Sequence, residues 1–239
     1  MEIQIIHDFY EAPYTLFNCI SKDLSIFTDT EPDAVLPGQQ YPGRRSVSGG
    51  LPNDYGEFEV QGHLKSFISE YADITIRKLY KILDIKKLKR YTFNLQMITK
   101  DDLKDWNANL PHGRPHPDVF SYETDTQLKG KTCLIYLSPF YNNTDNGTVF
   151  WRYKPRDFSG GNNPISFDHS SHEFFETMKN IVSTGQTHRW NEVLDIREKV
   201  RNDFNKALIF DKPLLHSEYF GEMLDDHPRL TAITFLNYY

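Results

Sequence analysis

The chain has 239 residues, enough to bury a sizeable core yet short for two full domains. Hydrophobic residues make up 38% and aromatics 14%, a globular balance that excludes a disordered chain. The formal net charge of -6 argues against a broad electrostatic grip on nucleic acid.

Met1 to Asp8 alternates as a short strand and lacks the basic start and apolar run of a leader. Pro13 to Asp23 reads as a short helix, and Thr28 to Asp54, rich in Pro, Gly, Ser and Asp, as irregular structure. From Gly62 to Leu83 apolar residues recur at helical spacing (Leu64, Phe67, Ile68, Tyr71, Leu79, Ile82), which predicts an amphipathic helix. Lys86 to Arg90 then reads as its solvated end. Strands are expected at Tyr91 to Ile98, Thr132 to Leu137, Gly147 to Tyr153, Lys206 to Phe210 and Leu230 to Leu236. Ser171 to Val182 and Asn191 to Asn205 read as helical. Cys19 and Cys133 lie in apolar runs and read as buried free thiols, in keeping with a reducing compartment. No stretch approaches membrane-spanning length. The expectation is a soluble, cytoplasmic α+β protein with a β-sandwich or barrel core flanked by helices.

His116-Pro117-Asp118 is the first chemical signal, and alone a weak one, because nine histidines among so many aspartates nearly supply such a tripeptide by chance. In an extended segment residues two apart face the same way, so His116 and Asp118 can address one ion. Pro115 and Pro117 favour that conformation. His216 follows the strand Ala207 to Phe210 and a turn at Asp211-Lys212-Pro213, at the start of another strand. Two imidazoles and one carboxylate leave three positions of an octahedral Fe(II) open, which oxygen activation needs. Further on, Arg229 and Thr231 share a strand face with Ile233 and Phe235. An arginine facing a barrel interior needs an anion. A dicarboxylate cosubstrate would satisfy it, and so would an internal Asp or Glu.

Taken in order, these residues resemble the Fe(II)/2-oxoglutarate-dependent oxygenases. The family pattern of His-x-Asp, distal His and Arg-x-Ser/Thr is matched by His116/Asp118, His216 and Arg229/Thr231. Gly147-Thr148-Val149-Phe150-Trp151 looks like the Gly-Thr strand of the prolyl-hydroxylase-like branch. Tyr41-Pro42-Gly43-Arg44-Arg45-Ser46 is similar to an element of small bacterial and phage members. The match is good over 91–239 and loose before it.

The resemblance implies a double-stranded β-helix (jelly-roll) core in a single domain over 1–239, with N-terminal support over 1–90 and a helical insertion near 157–205. It implies that His116, Asp118 and His216 bind Fe(II), with 2-oxoglutarate and O2 as co-reactants. Arg229 and Thr231 would hold the far carboxylate, with Tyr136 and Gln96 as further cosubstrate contacts. Trp151, Arg152, Arg44 and Arg45 are weaker candidates for contact with a small-molecule or peptidyl substrate. Asp118 stands where the family's radical halogenases carry Gly or Ala, which makes hydroxylation the expected outcome. The competing reading is a cupin-like metal-binding protein or isomerase without 2-oxoglutarate chemistry.

Overall fold

The computed structural model describes residues 2–22, 24–29, 43–46, 49–50, 63–103, 115–116, 118, 129–153 and 194–239. Two helices, α1 (Pro13–Lys22) and α2 (His63–Ile82), lie against a large antiparallel sheet. Its strands are β1 (Ile3–Ile6), β2 (Phe27–Asp29), β3 (Arg44–Ser46), β4 (Gly49–Gly50), β5 (Leu88–Ile98), β6 (Lys129–Tyr136), β9 (Ala207–Asp211) and β11 (Arg229–Tyr238). They run in the order β1-β9-β6-β11-β5-β3-β2, with β4 also on β5. A smaller sheet has the order β10-β7-β8, built from β7 (Asn146–Tyr153), β8 (Leu194–Arg201) and β10 (His216–Phe220).

The central strands are buried on both faces, so they read as nearly continuous apolar runs and strand alternation divides their side chains between two cores. Cys133, Ile135, Ala207, Ile209, Leu230, Ala232 and Leu236 face the helices. There they meet Leu16 and Ile20 of α1 and Ile68, Ala72, Ile76 and Leu79 of α2. Those α2 positions recur every three or four residues, as one buried helical stripe requires. Each buried Leu or Ile there contributes roughly 1.5–3 kcal/mol by leaving water. The alternate residues Leu134, Tyr136, Leu208, Phe210 and Ile233 form a second core with Phe150 and Val200 of the small sheet. Two sheets therefore face one another across this second core, and odd-numbered residues of β11 point into it.

The helices α1 and α2, β1, β5, β6, β7, β9 and β11 fall where periodicity places them. Three readings are corrected. Leu194 to Arg201 is a strand, not part of a helix: β8 pairs with β7 from Gly147↔Arg201 to Tyr153↔Leu194. Its charge-rich sequence suits a helix surface, but the ladder offered by β7 outweighs that weak local preference. Leu88 to Arg90 belongs to β5 rather than to a helix end, since Tyr238 of β11 pairs with Leu88. Within 28–54 the described residues include strands β2, β3 and β4, with β3 and β4 paired on β5 and β2 on β3 by backbone bonds that composition does not reveal. Cys133 is a buried free thiol as expected, whereas Cys19 is only half-buried. The helix read at 171–182 and residues 157–193 of the insertion read near 157–205 lie outside the described residues. Among the described residues no helix is long and apolar enough to cross a membrane.

Candidate active site

The site lies between the two sheets. The segment bearing His116 and Asp118 runs antiparallel to the start of β10. His116 N donates to His216 O at 2.9 Å, His216 N to His116 O at 3.1 Å, and Asp118 N to Lys212 O at 2.9 Å. Backbone bonding thus sets two residues distant in sequence side by side. The His ring centroids are 4.5 Å apart. His216 Nε2 lies 3.3 Å from Asp118 Oδ2, and His116 Nε2 lies 3.9 Å from Asp118 Oδ1.

One donor atom from each of the three falls within 4.8 Å of the others, the spacing at which one ion can be shared. His216 Nδ1 sits 2.9 Å from Leu214 O. A carbonyl only accepts, so Nδ1 carries the proton and the Nε2 lone pair is left toward Asp118. Phe210 and Phe150 flank the His216 ring at 4.7 and 6.3 Å and hold its plane. Asp118, 3% exposed, accepts a 2.7 Å hydrogen bond on Oδ2 from the Thr132 hydroxyl.

The other end of the cleft is cationic. Arg229 is 2% exposed, and its Nη2 donates to Gly147 O at 3.1 Å. Its Nε and Nη1 have no hydrogen-bond partner. The guanidinium lies 5.4 Å from the Phe220 ring centre and 5.9 Å from that of Tyr136. Gly147 must be a glycine here, because a Cβ would meet Val200 O at 2.0 Å. The start of β11 is stapled by Ser138, whose Oγ accepts from Leu230 N at 2.6 Å and donates to Pro228 O at 2.8 Å.

Between the two ends is a cleft with about 390 Å³ of non-atom space, counting its open side. His116, Asp118, His216, Arg229, Thr231 and Gln96 all line it. Tyr136, Thr231 and Gln96 form one row across β6, β11 and β5. Tyr136 stands behind the lining, donating its hydroxyl proton to Thr148 Oγ1 at 2.7 Å. Burial, against the opposing pull of Arg229, pushes its pKa up to about 12, so it stays a neutral donor.

The remaining candidates lie elsewhere. Trp151 is buried and does not itself line the cleft, but it donates Nε1–H at 2.9 Å to Oγ of Ser217, which does. Arg152 and Arg44 are exposed. Arg45 pairs through its backbone with Gln96, and its side chain is outside the described residues, as is His112. His227 stacks on Phe140 with centroids 3.7 Å apart, outside the cleft lining.

Three residues escaped the sequence reading: Thr132, Thr148 and Glu218. Glu218 lines the cleft two positions after His216 and opposite Thr148. Burial alone would raise the pKa of its carboxyl. The positive charges of His116 and Arg229, a bond from its own backbone amide and His216 outweigh that and hold it below the ordinary value. Strand parity with His216 was the available signal.

No protein-family model and no curated protein sequence matches the chain. The solved structures it is similar to include prolyl hydroxylases and SnoN, a non-heme alpha ketoglutarate dependent epimerase from nogalamycin biosynthesis. A prolyl-4-hydroxylase of Pseudomonas putida aligns with 99% of this chain and 92% of its own, at 10% identity and TM-score 0.44. HygX from Streptomyces hygroscopicus, crystallised with nickel, 2-oxoglutarate and hygromycin B, aligns over 98% and 82%, at 11% identity and TM-score 0.46. A Trichoplax adhaerens prolyl hydroxylase in complex with a hypoxia inducible factor oxygen degradation domain peptide fragment aligns over 99% and 83%, at 12% identity and TM-score 0.43.

Proposed function

We propose that this chain is an Fe(II)- and 2-oxoglutarate-dependent oxygenase with a double-stranded β-helix core, a single domain over 1–239. The observation that carries the reading is Arg229. A buried guanidinium with two unpartnered nitrogens, Nε and Nη1, is costly unless an anion completes it. It shares one cleft with two imidazoles and a carboxylate spaced for a metal. An ion at one end and an unsatisfied cation at the other suit a ligand with a chelating head and a distant carboxylate, which is the chemistry of 2-oxoglutarate.

His116, Asp118 and His216 would hold the iron, and Arg229 with Thr231 the far carboxylate, with Gln96 beside them. Bound iron with 2-oxoglutarate and O2 would supply the oxidising power to hydroxylate an unactivated C–H bond. The chain's own part is to orient and to exclude water. Leu214 O sets the His216 tautomer, Thr132 aims Asp118, and Leu134, Ile233 and Phe235 give the cleft its apolar lining. The substrate class proposed is an amino acid, a peptidyl residue or a small metabolite.

Anaerobic addition of Fe(II) and 2-oxoglutarate tests this, read as the visible metal-to-ligand charge-transfer band. The band is expected in the wild type and lost in His216→Ala and Arg229→Ala. No band in the wild type would favour the cupin-like alternative and overturn the proposal.

A further inference from the structure

Along β10, residues 216, 218 and 220 alternate onto one face. His216 belongs to the three-donor cluster, and the Phe220 ring lies against the Arg229 guanidinium. Glu218 stands between them on the same strand and lines the same cleft. Any ligand that reaches from the donor cluster to Arg229 must pass a carboxylate built into the wall.

We propose that Glu218 is the specificity-determining residue of the anion pocket: a resident counter-ion that holds down the affinity for dicarboxylates by competing for Arg229. This rests on the oxygenase reading for the identity of the natural dicarboxylate, but the competition itself needs only Arg229 and the cleft.

The physical case has three parts. Arg229 donates one hydrogen bond, to a neutral carbonyl, so its charge has no bonded anion. Glu218 makes no side-chain bond to it; from its place on β10 between His216 and Phe220 it shares the cleft with Arg229 and acts through space. An incoming carboxylate then gains the open donors on Nε and Nη1 of Arg229 but meets a second negative charge in the same cleft. Like charges a few ångströms apart there repel strongly enough to change affinity by roughly tenfold or more. A monocarboxylate that stops at the donor cluster is affected less, because its tail carries no charge to Arg229.

The test has two arms with wild type, Glu218→Gln and Glu218→Asp. In the first, succinate is titrated calorimetrically into metal-free protein. In the second, 2-oxoglutarate and 2-oxobutanoate are titrated anaerobically onto the Fe(II) protein by the visible band. The expected result is that Glu218→Gln binds succinate and 2-oxoglutarate about tenfold tighter, with 2-oxobutanoate changed less than about threefold. Glu218→Asp, which keeps the charge, should stay near wild type. Equal or weaker dicarboxylate binding by Glu218→Gln, or no succinate binding by any variant, overturns the proposal. A wild type that binds succinate but shows no band defeats the oxygenase reading, and the succinate arm still decides the role of Glu218. A wild-type band with Glu218→Gln unchanged defeats the role of Glu218 alone.

Discussion

Thr132 donates its hydroxyl proton to Oδ2 of Asp118 over 2.7 Å, across the boundary between the large sheet and the segment that bears the acid. The same oxygen is 3.3 Å from His216 Nε2, so Thr132 fixes which carboxylate oxygen faces which imidazole. Thr132→Val keeps the volume and removes the donor. Metal affinity should fall by about 10- to 100-fold, with Thr132→Ser restoring most of it. Titration of Mn(II) or Co(II) checks this, and an unchanged affinity would show that Asp118 needs no such support.

Metal binding should appear as folding stability, because the three donors meet only in the native state. At a free metal concentration about 100 times the dissociation constant, the gain is about 2.7 kcal/mol. Urea unfolding with and without Mn(II) reads it directly. Asp118→Asn and His216→Ala should abolish the difference, and chelator should return the wild type to its metal-free midpoint.

Arg229 is expected to be a stability liability in the empty protein. Arg229→Met fills a similar space and removes a buried charge with two unpartnered nitrogens. The metal-free, ligand-free variant should be more stable by an amount on the order of 1–2 kcal/mol, while dicarboxylate binding is lost. The two readouts move in opposite directions. A variant that is both destabilised and binding-deficient would mean that Arg229 is mainly structural.

Asn205 ties the N-terminal segment to the site. Its Oδ1 accepts from Tyr10 N and its Nδ2 donates to Tyr10 O, both at 2.8 Å, while its own N donates to Tyr136 O at 2.8 Å. It does so at φ +62°, a left-handed conformation that asparagine tolerates better than most residues. Asn205→Ala leaves two buried backbone groups of Tyr10 unsatisfied and strains the turn. A loss of about 3 kcal/mol is expected by urea unfolding. A change under 1 kcal/mol would show that water replaces the clamp.

Much of this architecture was legible because burial on two faces leaves a strong pattern. Ile68 to Leu79 announced α2, and the apolar runs at Cys133 to Leu137 and Ala207 to Phe210 announced two central strands. Strand β8 did not announce itself: Leu194 to Arg201 has only Leu194 and Val200 buried at its ends, and its ladder with β7 decides its form. Strands β2 to β4 are short pieces in a Gly- and Pro-rich region, and the pairing of β3 and β4 on β5 and of β2 on β3 has no local signature. Among candidate site residues, Arg229 and Thr231 could be placed on one face from alternation alone. Trp151 and Arg152 could not, because proximity in sequence to a site strand does not say which face or edge a side chain takes.

The amino-acid sequence alone determined the donor types and their parity: His116 with Asp118, His216, and Arg229 with Thr231, each pair or residue at a strand position where alternation gives it a side. What only the tertiary structure decided is that these sides face one another. The His116–His216 backbone bridge closes the donor cluster, and the Arg229 bond to Gly147 crosses from the large sheet to the small one. Glu218 entered the cleft by the same route. Its alternation was readable, but the charge it meets there is carried by a strand of the opposite sheet. Periodicity acts over a few residues and can be read along the chain; the register between distant strands is set by hydrogen bonds and packing that exist only once the sheets have come together.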